Sequence, residues 1–188
     1  MGKSEDTLKS LLEKAKTISS PFKRKLYVVA LLTEALKPYD IKPIVVGGAA
    51  VEFYTLGNYA TLDVDLVSGG YERIDHILRG WGFTKRGRYW ENVELDIAIE
   101  VPDSELAGSY DKIIEVEIEG MSLYVIGVED LIIDRLNAFA YWRSERDGEW
   151  AKQLMALHEG RIDWRYLEER ARAEGVIEAL NHLRREID

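Results

Sequence analysis

The sequence predicts an α+β fold, in which a mixed β-sheet core is flanked by helices and followed by a helical C-terminal part. Two observations lead to this prediction. Up to residue 125, short apolar runs with strand periodicity alternate with segments of helical spacing. From residue 128 to residue 185 the spacing is helical throughout, enough for about four helices. We therefore predict a sheet-based core with N-terminal helices over 1–126 and a helical part over 127–188 that packs on it.

The N-terminal third is predicted to form two helices. Apolar residues at positions 8, 11, 12 and 15 follow helical spacing in the first. Ser20 has a side chain suited to an N-cap and Pro21 would occupy the first helical position, so the second helix is predicted to begin there. It is predicted to run to Leu36 and to end at Pro38.

The middle of the chain is predicted to supply the sheet. The short apolar run at 44–46 stops at two glycines, which is typical of a buried strand that ends in a tight turn. Two further strands are expected at 83–90 and 93–101, joined by a short turn at 91–92. The remaining predicted elements are helices at 49–56 and 71–81, a strand at 61–67 and a hairpin formed by 113–118 and 122–125.

The composition excludes several classes of site. The chain has 188 residues and no cysteine, so disulfides, zinc–thiolate sites and cysteine nucleophiles are ruled out. Its three histidines lack ligand spacing, so a metal would be held mainly by oxygen, which points to a hard ion such as Mg²⁺. No apolar run is long enough to span a membrane and no signal-peptide pattern follows Met1, so a cytoplasmic location is expected.

The charge balance bears on possible nucleic-acid partners. The net charge is −9, so binding to nucleic acid through bulk electrostatics is not expected. The densest basic cluster is Lys85, Arg86 and Arg88, interleaved with aromatic residues. Such a cluster can hold a nucleic-acid acceptor, but a solvated hairpin with a half-buried aromatic face is the favoured interpretation.

Two acidic residues in one predicted strand are the first sign of chemistry. Residues i and i+2 of a strand point to the same face, so Asp63 and Asp65 are expected to project together. Asp is disfavoured in strand interiors, and two adjacent carboxylates repel unless a cation lies between them. The alternative interpretation is a half-solvated strand with no ligand.

Two further features lie near this strand in the predicted order. Gly47 and Gly48 follow the apolar run at 44–46 and precede a helix, an arrangement that leaves backbone N–H groups free to hold phosphate. An ordinary strand-to-helix turn is the alternative. Asp96 is expected to be a third acidic strand residue, facing the same way as Glu94. A solvated edge strand would also explain it.

Together these residues resemble the signature of the nucleotidyltransferase superfamily, which has the DNA polymerase β-like fold. The resemblance covers roughly residues 40 to 150 and looks closest to the AbiEii-like and related prokaryotic nucleotidyltransferases. That signature is an apolar residue, a glycine, a glycine or serine, a short helix, an Asp-x-Asp strand and a third carboxylate. Here these positions are filled by Val46, Gly47, Gly48, Asp63, Asp65 and Asp96.

The resemblance implies a function and roles for these residues. It implies transfer of a nucleotidyl group from an NTP to an acceptor that is RNA, protein or a small molecule. Asp63, Asp65 and Asp96 would be the catalytic residues and would hold Mg²⁺ or Mn²⁺. The predicted nucleotide-binding residues are Gly47, Gly48, Arg135, Arg143 and Asp147, where Asp147 would orient one of the arginines.

This chain departs from the common pattern in three places. The interval between Gly48 and Asp63 is longer than is typical. Gly48 stands where many relatives have serine, so phosphate contact would depend on backbone N–H groups. Arg135 stands where the AbiEii-like proteins usually have lysine. A planar guanidinium with several hydrogen-bond donors therefore replaces a compact ammonium group.

Three other functions are compatible with the sequence. The first is a catalytically inactive member of the same fold that acts as an interaction module. The second is a toxin-like enzyme held by an antitoxin partner, and the third is an unrelated acidic metal-binding protein. The presence of all three carboxylates argues against an inactive site.

Overall fold

A computed structural model describes residues 4–187 and consists of a sheet surrounded by helices. Two short 3₁₀ turns, Lys37–Tyr39 and Tyr110–Lys112, interrupt the loops. The helices are α1 Glu5–Lys16, α2 Pro21–Leu36, α3 Gly47–Tyr54, α4 Tyr71–Gly80, α5 Val128–Trp142, α6 Glu145–His158, α7 Trp164–Ala173 and α8 Ile177–Arg184. The strands are β1 Ile44–Val46, β2 Asp63–Val67, β3 Thr84–Arg86, β4 Tyr89–Asn92, β5 Ile97–Asp103, β6 Ile114–Ile118 and β7 Met121–Val125.

Helix α2 begins where the sequence predicts. The Ser20 hydroxyl accepts a hydrogen bond from the backbone N–H of Lys23 at 3.3 Å, and Pro21 is the first helical residue. Helix α2 is largely enclosed by the rest of the protein, and residues 27–36 are all buried. It packs against β7 and carries α1 on its surface. This packing fixes α2 firmly against the core.

The seven strands form one mixed sheet in the order β3-β4-β5-β2-β1-β7-β6. Strand β2 lies between β1, to which it is antiparallel, and β5, to which it is parallel. Strand β1 is also parallel to β7, and the hairpins β3–β4 and β6–β7 complete the two sides. The acidic strand β2 is therefore internal to the sheet, with a neighbour on each side. The predicted mixed sheet with flanking helices is confirmed.

The strands after α4 differ from the prediction. The chain turns at Gly87, whose φ of 58° suits glycine, so the predicted strand at 83–90 is divided between β3 and β4. It turns again at 93–96, where the Asn92 side chain accepts from the N–H of Leu95 at 3.0 Å and donates to the carbonyl of Trp81 at 3.2 Å. Strand β5 consequently starts at Ile97, and Asp96 lies in the turn with a φ of 53°.

The C-terminal part contains the four predicted helices. Helices α5 and α6 pack closely together, and both contact α3, the helix that follows β1. This places the start of α6 near the acidic strand. No helix in residues 4–187 is long and apolar enough to cross a membrane. The division of the chain at 126/127 stays a prediction.

Candidate active site

The two aspartates of β2 share one face of the sheet. Val64 and Leu66 alternate with them and are buried on the other face, with 2% and 0% of their surface exposed. Asp63 and Asp65 are only half-buried, so their carboxylates remain accessible from solvent. The alternation predicted from the sequence is what directs both carboxylates to the same side.

A third carboxylate joins them from β5. Because β2 and β5 are parallel, Asp63 lies opposite Ala98 and Asp65 lies opposite Glu100. Glu100 is buried, with 7% of its surface exposed. Carboxylate oxygens of Asp63, Asp65 and Glu100 all lie within 4.8 Å of one another. We call these three residues the carboxylate cluster.

Asp96 is not part of the carboxylate cluster, and its predicted position in a strand is wrong. It lies in the turn before β5, its side chain is 81% exposed, and its nearest cationic partner is Arg24 at 3.9 Å. It precedes Glu100 by four positions, which corresponds to roughly 13 Å along an extended strand. Glu100 occupies the place in the cluster that the sequence analysis assigned to Asp96.

Helix α3 begins directly beside Asp65. Gly47 has a φ of 57°, and a Cβ added there would lie 2.5 Å from Oδ2 of Asp65, so only glycine fits. The N–H of Gly48 donates to the Asp65 carboxylate. A Cβ at Gly48 would lie 3.3 Å from Oγ1 of Thr61 and 3.3 Å from the ring of Tyr59. The glycine pair thus allows the positive end of a helix to approach the carboxylate cluster closely.

The electrostatics of the cluster favour a bound cation. Burial, reinforced by the charges of Asp63 and Glu100, raises the pKa of Asp65 to about 6. The Gly48 N–H and the nearby Arg135 oppose this rise without cancelling it. Burial first and the two neighbouring carboxylates second thus penalise the ionised form of Asp65, and a bound cation would relieve that penalty.

Among the predicted arginines, Arg135 is the one that the structure brings close to Asp65. Its side chain is only 16% exposed, and its Nη1 donates to Asp147 at 2.7 Å while its Nε donates to Asp134 at 3.2 Å. Asp147 is itself held by the Ser144 hydroxyl at 2.5 Å. Asp147 therefore contacts and orients Arg135.

Arg143 is placed differently from Arg135. It is the C-cap of α5, its φ is 55°, and its side chain is exposed. Within residues 4–187 its side chain makes no hydrogen bond or ion pair, and only its backbone N–H is bonded, to the carbonyl of Ala138. The structure therefore does not join Arg143 to the carboxylate cluster, and its predicted role in nucleotide binding gains no support.

The sequence analysis did not assign Arg88 to the site, although it noted it in the basic cluster. Nε of Arg88 lies 3.3 Å from a carboxylate oxygen of Glu100, and its Nη2 donates to the hydroxyl of Tyr89 at 2.6 Å. The Arg88 side chain is 70% exposed, so it can move away from Glu100. Lys85, by contrast, lies over the Trp90 ring at 3.1 Å and belongs to the hairpin itself.

A cleft of about 410 Å³ opens beside Asp63. The guanidinium of Arg146 lies 5.2 Å from the centre of the Tyr59 ring and forms part of the cleft wall. Leu62, 86% exposed, projects from the same rim. The lining includes Tyr59, Thr61, Leu62, Asp63, Tyr89 and Arg146. The cleft therefore combines aromatic, apolar and cationic groups next to a carboxylate.

The carboxylate cluster fits a hard divalent cation. Its donors are all carboxylate oxygens, the ligands that Mg²⁺ and Mn²⁺ prefer. Of the described cationic side chains, Arg88 forms an ion pair with the cluster, and it is largely exposed. Three adjacent carboxylates with this little neutralisation match the charge of a divalent ion.

The fold and this site define a nucleotidyltransferase-like protein. Residues 24–186 match the family described as nucleotidyltransferase of unknown function (DUF6036), and the chain belongs to that family. The predicted membership of the nucleotidyltransferase superfamily is thereby confirmed.

Two solved structures support the same fold. One is an antigenic nucleotidyltransferase-like protein from Paracoccidioides brasiliensis, with a TM-score of 0.51 and 17% identity over 84% of this chain and 78% of that one. The other is the antibiotic-resistance factor ANT(2'')-Ia, with a TM-score of 0.52 and 14% identity over 97% of this chain and 100% of that one. At these identities the likeness concerns the fold alone. No curated protein matches the chain.

Proposed function

We propose that this protein is a metal-dependent nucleotidyltransferase that transfers a nucleotidyl group from an NTP to an acceptor and releases pyrophosphate. The observation that carries the proposal is the convergence of Asp63, Asp65 and Glu100 within 4.8 Å, directly beside the start of α3. A cation-binding cluster next to a helix N-terminus suits a nucleoside triphosphate, which brings both phosphate charge and a bound divalent ion.

The cluster would hold Mg²⁺ or Mn²⁺ through all three carboxylates. When bound, such an ion neutralises phosphate charge and polarises the phosphorus–oxygen bonds. Asp63 lies nearest the cleft and is the carboxylate that the acceptor would approach. Asp65 faces the glycine turn, where the phosphates would be received.

Backbone and arginine groups would bind the phosphates. Gly47 and Gly48 carry no side chains of their own, so a phosphate would approach the backbone at the start of α3 beside Asp65, Thr61 and Tyr59. Arg135 is held rigidly by two aspartates, so its charge is fixed in place near Asp65. Arg88 and Arg146 are exposed at the edge of the site and can turn towards a bound ligand.

In the proposed reaction an oxygen of the acceptor forms a bond to the α-phosphorus as the bond to the bridging oxygen of the β-phosphate breaks. Pyrophosphate leaves with the electron pair, and the acceptor oxygen would pass its proton to the carboxylate of Asp63, which borders the cleft. The cleft beside Asp63 has room for the acceptor, and its aromatic rim offers Tyr59 and Tyr89 as stacking surfaces.

The inactive interaction module and the toxin-like enzyme remain predictions, whereas an unrelated acidic metal-binding protein is excluded because the chain belongs to the nucleotidyltransferase family. A catalytically inactive module would be expected to lack at least one carboxylate of the cluster. The carboxylate cluster is complete within one chain, which favours an active enzyme.

Calorimetric titration of ATP, GTP, CTP and UTP, each with and without Mg²⁺, tests the proposal. Asp63→Asn removes one charge from the cluster, and Asp96→Asn makes the same replacement at an exposed position outside it. We expect at least one NTP to bind only with Mg²⁺, and to bind more than about tenfold more weakly to Asp63→Asn than to Asp96→Asn. Equal binding by the two variants would refute the assignment of the site.

A further inference from the structure

A buried ion pair lies behind the carboxylate cluster. Lys25 of α2 and Glu52 of α3 form a salt bridge in which their side chains are only 8% and 6% exposed. Lysine and glutamate are rarely buried to this degree unless they are paired. Neither residue belongs to the carboxylate cluster or to the cleft, so the proposed reaction gives them no role.

The lysine of this pair also holds the loop that leads into β2. Its Nζ donates to the backbone carbonyl of Thr61 at 2.7 Å. The segment 55–62 between α3 and β2 has no regular helix or strand of its own. An ammonium group fixed by a carboxylate is a strong donor for such a segment.

Thr61 extends the chain of contacts to the carboxylate cluster. Its hydroxyl donates to Oδ1 of Asp63 at 2.7 Å. Asp63 is the first residue of β2, so the irregular loop adjoins it directly, whereas Asp65 and Glu100 have strand residues on both sides. Asp63 is therefore the member of the cluster whose orientation depends most on the preceding loop.

We infer that Glu52, Lys25 and Thr61 are positioning residues that hold the Asp63 carboxylate in the orientation required for divalent-cation binding. Glu52 neutralises and orients Lys25, Lys25 fixes the carbonyl of Thr61, and the Thr61 hydroxyl fixes Asp63. This inference rests on the proposed function, because it takes Asp63 to be a metal ligand.

The energetics of buried charge support a positioning role. Taking two charges out of water is costly, and apolar residues of similar size often stabilise a core equally well. The pair is thus poorly explained by stability alone. Groups that hydrogen-bond to metal ligands fix the orientation of those ligands, and their loss typically weakens metal binding by about 10–100-fold.

Mn²⁺ titration monitored by electron paramagnetic resonance tests the contact nearest the cluster. Thr61→Val keeps the shape of the side chain and loses the hydroxyl, whereas Thr61→Ser keeps the hydroxyl. We expect Thr61→Val to bind Mn²⁺ about tenfold more weakly than the wild type, and Thr61→Ser to retain wild-type affinity within about threefold. Wild-type affinity in Thr61→Val would overturn the inference, as would equal losses in both variants.

Asp63→Asn, measured in the same series, separates the two proposals. If Asp63→Asn loses Mn²⁺ binding while Thr61→Val retains it, the positioning role fails and the proposed metal site stands. If Asp63→Asn binds Mn²⁺ like the wild type, the proposed metal site itself fails.

A double variant tests the distant end of this contact chain. Lys25→Met combined with Glu52→Leu removes both buried charges together, so neither is left without a partner. We expect the double variant to unfold cooperatively on heating, as the wild type does, and to bind Mn²⁺ several-fold more weakly. Wild-type Mn²⁺ affinity in the folded double variant would overturn the role of Lys25 and Glu52.

Discussion

Replacement of Asp65 by asparagine should stabilise the metal-free protein. Asp65 is one of three clustered carboxylates, and its ionised form is penalised by burial first and by Asp63 and Glu100 second. Asparagine is nearly the same shape, carries no charge, and can still accept the hydrogen bond from the N–H of Gly48. The variant therefore removes the repulsion with little change in packing.

The size of the expected gain in stability follows from the pKa of the Asp65 carboxyl group. Burial and its neighbours raise the pKa of Asp65 from 3.8 to about 6. One pKa unit corresponds to about 1.4 kcal/mol, so the gain in unfolding free energy of Asp65→Asn has an upper limit of about 3 kcal/mol. Because the side chain is partly exposed, solvent screening reduces the expected gain to about 1–2 kcal/mol.

The upward shift of the Asp65 pKa determines how the stability of the wild type changes with pH. The folded protein binds the Asp65 proton more tightly than the unfolded chain does, so this group imposes no penalty below about pH 4. The penalty grows as the pH rises and is complete above about pH 6 to 7. The stability advantage of Asp65→Asn should therefore be small near pH 4 and fully developed at pH 7.5.

Urea denaturation in EDTA, at pH 4.5 and at pH 7.5, measures this difference. Asp96→Asn serves as the control, since its exposed site predicts a change within about 0.5 kcal/mol at both pH values. Millimolar Mg²⁺ should shrink or reverse the advantage, because only the wild-type cluster gains binding energy from the ion. The reasoning is refuted if Asp65→Asn is less stable than the wild type in EDTA at pH 7.5, or if its advantage does not depend on pH.

Three further variants probe the surroundings of the cluster. Gly47→Ala should destabilise the protein by about 2 kcal/mol in urea, from its positive φ and the clash with the neighbouring carboxylate, whereas Gly80→Ala, with open space around it, should be neutral or slightly stabilising. Arg135→Met should cost about 2 kcal/mol in the same assay, because it leaves two aspartates without their partner, and should weaken NTP binding in calorimetry. Arg88→Gln should tighten Mn²⁺ binding about two- to fivefold in a resonance titration, since Arg88 competes with the ion for Glu100; weaker binding would contradict that competition.

The part of the site on β1, α3 and β2 could be predicted from local sequence. Two glycines after an apolar run specify the turn, and strand alternation places Asp63 and Asp65 on one face. Both signals depend only on neighbouring residues and on the two-residue period of a strand. Local patterns of this kind do not depend on how distant elements pair.

The third carboxylate could not be predicted in the same way, because it depends on where β5 begins. The sequence from 93 to 101 alternates well enough to suggest one strand, but Asn92 closes a turn with its side chain and delays the strand to Ile97. Glu100 then lies opposite Asp65 through the pairing of β2 with β5, which is a property of the whole sheet. One signal was present in the sequence: a glutamate inside the apolar run of 97–101 is unusual for a core strand.

The contacts of Arg88 and Arg135 depend on tertiary structure as well. Arg88 reaches Glu100 because the hairpin β3–β4 pairs with β5, which no local pattern indicates. Arg135 and Asp147 were both noted from the sequence, and their contact arises from the packing of α5 against α6. Arg143, by contrast, falls at the C-terminal end of α5 and remains exposed.

Asp63, Asp65 and Glu100 are proposed to form a divalent-cation site. A Mn²⁺ titration of Glu100→Gln beside Asp96→Asn, monitored by electron paramagnetic resonance in the presence of an NTP that binds, tests it most directly. We predict wild-type affinity for Asp96→Asn, whose carboxylate lies outside the cluster, and an affinity more than about tenfold weaker for Glu100→Gln. Unchanged Mn²⁺ binding in Glu100→Gln, or a loss confined to Asp96→Asn, would contradict the site described here.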